Sequence, residues 1–458
     1  MSINGVNKLI SVPTLTLISI SAVISLRNFS LIASQGWAST FYYLAAGLLF
    51  LIPISLICAE LASTFPKKGG VYLWVSEAFG TQSGVVAIWL EWMESVIWLP
   101  VVLSFFAGLV AYLINPDLAY NRYFVLAIIL TTLWGLTFLN FMKIQISAVV
   151  SAIGILVGTI VPSLLLILLG VLWILLGKPT EIPLIPDHFF PPMTVSNFVF
   201  FSGILLSFCG MEVSAFHAQN VDNPRKSYPI ATFLSTAVVL ALTILGTLSI
   251  ALILPANQIQ LSFGTMQAFS AYFNQLGVSW MIYGVAGIAL FGALASMNTW
   301  IIGPSRGLLV SAEHGDLPKF CRYKNENQSP THILYAQGVI SSILASAFVL
   351  MPTINASYWV LTVLAAQLIA IMYFIICASL IRLRYTKPHL ERPYKLPGGM
   401  RGMWAIAGTA AFASLLTFFV GFFPPEGIDV GDPLYYGVGL FIAVIVATFA
   451  PFIRFKQS

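Results

Sequence analysis

The stretch 21-SAVISLRNFSLIAS-34 lies in an apolar run near the start of the chain, with Arg27 and Asn28 at its centre. A permanent positive charge in a segment suited to lipid demands a partner or a purpose. The rest of the chain makes the demand sharper. Of 458 residues, 59% are hydrophobic and 8% charged, and the mean hydropathy is +0.92. A soluble domain carries roughly 25% charged residues, so this chain has too few to cover a water-facing surface. The apolar excess recurs along the whole length, as expected of an all-α polytopic membrane protein.

A bilayer-spanning helix needs roughly 20 mostly apolar residues. That rule predicts about twelve spans, near 14–35, 40–64, 84–114, 121–141, 146–176, 196–218, 228–254, 278–311, 331–352, 356–384, 402–424 and 434–453. Polar stretches with Pro or Gly separate most of them, as in "FPKKGG", "VDNPRKSYP" and "RPYKLPGG". No small-residue cleavage site follows the first segment at a signal-peptide distance, so it is expected to be retained.

The basic residues test the count, because cytoplasmic loops hold most Lys and Arg. With the N-terminus inside, alternate loops hold 18 of the 21, leaving Arg122 and Lys178 outside and Arg27 within a span. Moving the count by one in mid-chain would destroy this bias. Both termini are therefore expected in the cytoplasm, and the basic excess reads as topology with no nucleic-acid partner. Cys58, Cys209, Cys321 and Cys377 form no CxxC pair, and the five histidines have no ligand spacing. No disulfide framework, zinc site or other cofactor is implied.

Ionisable groups at membrane depth cost roughly 2.5–3.5 kcal/mol on insertion scales and usually face a cavity or a partner. Four stand out: Arg27 in span 1, Glu91 and Glu94 in span 3, and Glu212 in span 6. Arg27 either pairs with one of the glutamates to tie helices together or serves a site. Glu91 and Glu94, three apart, share a helical face. In "LLSFCGMEVSA" (205–215), Gly210 beside Cys209 weakens mid-span 6 by roughly 0.5–1 kcal/mol relative to alanine. Span 1 crowds Ser19, Ser21, Ser25, Asn28 and Ser30 into a short run. These serines either bond back to the preceding turn or mark an opened helix. Interrupted helices at matching positions of two repeats point to a transporter's midplane site, and spans 1 and 6 would head two five-span halves. Opened backbone offers N–H and C=O groups together, which suits the carboxylate and ammonium of an amino acid.

Four stretches carry a resemblance. "AELASTFPKKGGVYLWVSEAFG" (59–80), "GMEVSAFHAQNVDNPRKSYPIA" (210–231), "GPSRGLLVSAEHGDLPKF" (303–320) and "RPYKLPGG" (392–399) resemble, in order and spacing, segments of the amino acid–polyamine–organocation (APC) superfamily. Within it the chain is most similar to bacterial glutamate/GABA antiporters, notably in "LSFCGMEVSAFHAQNVDNP" and "WIIGPSRG". The resemblance implies one transporter domain with a five-plus-five inverted repeat, about 14–176 and 196–384, plus two further helices at 402–453. It also implies discontinuous helices 1 and 6. Carried over by position, substrate backbone groups would meet Ser19, Ser21, Ala22, Val23 and Ile24 of span 1 and Cys209 and Gly210 of span 6. Glu94 and Ser95 of span 3, Trp300 of span 8 and Tyr373 of span 10 would complete the site. Glu212 matches a glutamate tied to proton sensing in arginine/agmatine exchangers. Leu206 stands where those exchangers have a gating tryptophan, and Arg27 where the glutamate/GABA antiporter has a tyrosine, at the outer rim.

The chain also departs from the pattern. Span 1 has no glycine between Gly5 and Gly36, and "SAIG" (151–154) lacks the span 5 lysine of proton-coupled relatives. Only "RFKQS" follows the last span, so the pH gating by a C-terminal plug found in the enterobacterial glutamate/GABA antiporter is not assumed for this chain. "GPSRG" (303–307) fits a nucleophile elbow, but that motif needs a strand–turn–helix setting and here ends a membrane helix. The GxxxG of Gly154 and Gly158 suits close helix packing. The expectation is an inner-membrane amino acid antiporter and not an enzyme, its partners being small amino acids and lipid, with a homodimer left open. A transporter for neutral or cationic amino acids or polyamines, and a channel or membrane sensor, remain as alternatives.

Overall fold

The computed structural model describes residues 10–65, 69–142, 154, 156–184, 188–192, 194–212 and 221–449. Each of the twelve predicted spans contains a helix. Among the described residues, nine helices are long and apolar enough to cross a membrane, and a bent pair, Val12–Val23 with Leu26–Gln35, makes a tenth. Two shorter apolar helices, Val195–Ser207 and Pro433–Phe449, stand at spans 6 and 12. Apart from an isolated bridge between Ile10 and Val221, the described residues have no β pairing. In lipid only structures that satisfy their own backbone hydrogen bonds survive, which favours helix throughout.

Spans 3 (Thr81–Ile114) and 10 (Ile354–Thr386) are the most enclosed, each with 78% of its most apolar window buried by protein. Span 4 (Arg122–Phe141), at 33%, faces outward. The central helices are joined by polar links. Gln337 of span 9 accepts from Trp92 Nε1 of span 3 at 3.1 Å and from Ser305 of span 8 at 2.8 Å, and Ser341 donates to the Val96 carbonyl at 2.7 Å. Spans 5 and 8 meet backbone to backbone. A Cβ on Gly158 would sit 2.3 Å from Gly292 Cα, and one on Gly154 2.7 Å from Ala295 Cβ. The GxxxG is thus used within the chain, as a small-residue interface permits.

Two π-helical segments, Gly47–Leu51 and Leu156–Ile160, lie just before Pro53 and Pro162. Proline lacks an N–H and disturbs the preceding turn, and a widened turn absorbs the disturbance. Residues 303–307 lie inside the helix Met281–Glu313, so "GPSRG" has no strand–turn setting.

Two helices outside the predicted spans complete the fold. Gly70–Phe79 follows span 2 at the end of the molecule rich in Lys and Arg. Its Tyr72 donates to Asp316 at 2.8 Å and stacks on His314, Glu77 pairs with Lys387, and Arg382 lies 4.8 Å above the Phe79 ring. Burial and then the Asp316 carboxylate push the Tyr72 hydroxyl up to about 12. Gly264–Gln275 lies between spans 7 and 8.

At the basic end, Glu60 of span 2 is 1% exposed and accepts from Arg384 Nε and Nη2, both at 2.6 Å. Arg392 Nε lies 3.3 Å from it, and the Leu396 amide donates to it at 2.7 Å. Glu60 is a further charge inside predicted span 2, beyond the four intramembrane charges singled out from the sequence. Its partners come from span 10 and the "RPYKLPGG" loop, more than 300 residues away, so pairing could not be read locally.

Candidate functional site

Span 1 opens without glycine. Its helix ends at Val23, after which Ile24 (φ −75°, ψ 134°) and Ser25 (φ −147°, ψ 137°) are extended, a geometry open to any L-residue. A 3₁₀ turn, Leu26–Phe29, then starts a second segment bent by 59° from the first. The serines of the first segment bond back: Ser19 to the Leu15 carbonyl at 3.0 Å and Ser21 to that of Ile18 at 2.8 Å. Back-bonding and opening therefore coexist, with the opening placed after the serine pair.

Span 6 stops after Ser207, and Phe208, Cys209 and Gly210 leave the helix. Gly210 has φ +112°, a region open to glycine, and an added Cβ would lie 2.9 Å from the Ala22 carbonyl oxygen. Residues 213–220 lie outside those described, as do 151–153 of "SAIG" and 450–458.

Asn28 joins the two breaks. A helix end leaves its last carbonyls without helical partners, and the Asn28 amide donates to one from each break: Val23 at 3.4 Å and Ser207 at 3.3 Å. Its Oδ1 accepts from Arg27 Nη2 at 3.2 Å. The carbonyls of the 3₁₀ segment are taken from outside, Leu26 by Thr265 of the Gly264–Gln275 helix and Asn28 by Tyr43.

The breaks border a cavity of about 70 Å³. Of the predicted site residues, Ser21, Ala22, Val23, Ile24, Arg27, Glu94, Leu206, Cys209, Glu212 and Trp300 line it. Four predicted residues lie behind it. Ser19 is buried in the first helix; Ser95 donates to the Trp300 carbonyl at 3.3 Å, joining spans 3 and 8. Tyr373 donates to Glu212 Oε2 at 2.6 Å, and the Gly210 amide points at both, 3.2 Å from each oxygen. Glu212 is thus held beside the span 6 break by an aromatic hydroxyl and a backbone amide.

Arg27 is 4% exposed, and no carboxylate lies within ion-pair distance of it among the described residues. Its guanidinium instead lies 5.2 Å from the centre of the Trp98 ring, and its Nε has no hydrogen-bond partner. The Trp98 and Trp300 rings are 5.5 Å apart. Trp98, Asn28 and Glu91 were not among the predicted contacts, although a signal for two of them existed. Glu91, Glu94, Trp98, Val102 and Phe105 recur at helical spacing and all line the cavity from span 3.

The charges are ordered along that face. Glu91 and Trp98 are seven residues apart, roughly 10 Å of helix, so the cavity has carboxylates toward the basic end and a guanidinium toward the other. Opened amides and carbonyls lie between. This arrangement suits a small zwitterion carrying a further charge.

The chain is similar to known proteins over most of its length. The amino acid permease family matches residues 10–447. An uncharacterised transporter of Legionella pneumophila is 38% identical over 99% of this chain and 98% of its own length. A glutamate/gamma-aminobutyrate antiporter of Lactococcus lactis is 30% identical over 95% of this chain and 88% of its own. A probable agmatine/putrescine antiporter of the same species is 24% identical over 80% and 78%. The chain belongs to the amino acid permease family of the APC superfamily and is a multi-pass membrane transporter of amino acids.

Proposed function

We propose that this chain is an amino acid antiporter of the glutamate/GABA type, set in the bacterial cytoplasmic membrane with both termini inside. It works by alternating access, two five-span halves moving about the cavity. The observation that carries the reading is the Arg27 guanidinium, without a carboxylate partner among the described residues, lining a cavity bordered by two helix breaks. The substrate's α-carboxylate and α-ammonium dock on backbone opened at Ile24–Ser25 and Phe208–Gly210. A side-chain carboxylate reaches Arg27, which the Trp98 ring steadies without neutralising it. Glu212, held by Tyr373 and Gly210, couples protonation to gating.

Proteoliposomes loaded with labelled glutamate test this. Efflux should accelerate with glutamate or GABA outside, and a channel would show no such stimulation. Arg27→Ala should raise KM for glutamate about 10–100-fold, the loss of a hydrogen bond to a charged group of about 1.5–3 kcal/mol, and spare neutral substrates. Equal loss of all substrates together with protein yield would assign Arg27 to the fold instead.

One observation favours a second reading. Three cavity carboxylates stand against one guanidinium, a balance that suits cationic substrates. Stimulation by agmatine or putrescine and not by glutamate would select it.

A further inference from the structure

In the glutamate/GABA reading Glu91 adds to the charge of the cavity but is assigned no contact with the substrate. It is 6% exposed, lines the cavity, and has no hydrogen-bond or ion-pair partner among the described residues. Its Oε2 is fully enclosed. The other buried glutamates differ: Glu60 holds two arginines and a backbone amide, and Glu212 accepts from Tyr373 and Gly210. A carboxylate stripped of water and given no donor is not kept ionised by its surroundings.

The groups around it do not supply a cation. Glu94 is on its own helix, Glu212 and Cys209 face from span 6, Cys58 from span 2, and Tyr373 and Cys377 from span 10. Span 8 has no ionisable residue between Tyr283 and Arg306. Arg27, the one cationic side chain lining the cavity among the described residues, stacks on Trp98 about two turns away. A substrate ammonium is a poor candidate for the missing partner of Oε2, since that atom is closed to anything of water size or larger. A proton is small enough.

We infer that Glu91 is a proton-binding site of the transport cycle, distinct from Glu212. The carboxylate takes one proton from the solution on the side to which the cavity opens and releases it on the other. Only an O–H bond forms and breaks. This rests on the exchange reading above.

The test uses proteoliposomes with a pH-sensitive dye inside, glutamate on both sides, and an imposed gradient between pH 6 and 8, where glutamate keeps one protonation state. Glutamine serves as a second probe for the same reason. The wild type should collapse the gradient faster when either substrate is present on both sides, and Glu91→Gln should keep exchange but lose that acceleration. Infrared difference spectra of the purified protein between the two pH values should show a carboxylic-acid C=O band absent from Glu91→Gln, a readout that needs no transport. A wild type that exchanges neither probe overturns the antiporter reading and this one with it. Exchange with the same gradient collapse in both proteins, or an unchanged infrared band, overturns the Glu91 assignment alone. So does a variant in which KM rises for every substrate while proton movement persists.

Discussion

At the scale of single residues, the site depends on a few positions where only one side chain fits. Gly210 is the sharpest case, combining a φ of +112° with a contact that a methyl group would bring to 2.9 Å from the Ala22 carbonyl. Gly210→Ala should cost about 1–3 kcal/mol of local strain and push the two breaks apart. We expect at least a tenfold loss of exchange rate, with elution from a sizing column unchanged; full activity would show that the breaks tolerate separation. The sequence marked Gly210 as a weak point in a helix and Glu212 as a charge at membrane depth. It also marked Arg27, but not what Arg27 does. Whether a buried guanidinium finds a carboxylate or an indole depends on which face of span 3 meets span 1, and no local pattern contains that.

At the scale of elements, buried charge ties distant helices. Span 2, span 10 and the following loop converge on Glu60, with Tyr394 donating through its amide to Ser63 at 3.4 Å. Removing one partner of a buried pair costs about 3–5 kcal/mol, because the other charge is left uncompensated. Arg384→Ala should therefore lower the unfolding temperature in detergent and reduce yield, while Glu60→Gln with Arg384→Met should recover much of the loss. If Arg384→Ala were as stable as the wild type, Arg392 and the Leu396 amide would suffice. The elements themselves were largely legible, since twenty apolar residues demand a helix whatever surrounds them. The helices Gly70–Phe79 and Gly264–Gln275 were not, because neither is long enough to register as a span. The span 1 break was expected only by resemblance; without glycine, its position at Ile24–Ser25 is set by the neighbours that satisfy the freed groups.

At the scale of the whole molecule, the charge bias makes a claim about orientation that can be checked directly. With Cys209 and Cys321 changed to serine, Asp117→Cys should label from outside intact cells with a membrane-impermeant maleimide. Lys395→Cys should label only after permeabilisation; the reverse pattern would invert the proposed topology. The sequence by itself determined that the chain is a many-spanning helical membrane protein, which segments are helical and apolar, and which few residues violate the chemistry of lipid. Those properties follow from solvent alone, since a bilayer judges each segment separately. Only the tertiary structure decided that Arg27 lies on Trp98, that Asn28 bonds both broken helices, that Glu60 is shared by two arginines, and that neither Arg27 nor Glu91 has an ion-pair partner among the described residues. Each of these is a contact between segments far apart in the chain, fixed by how the helices pack.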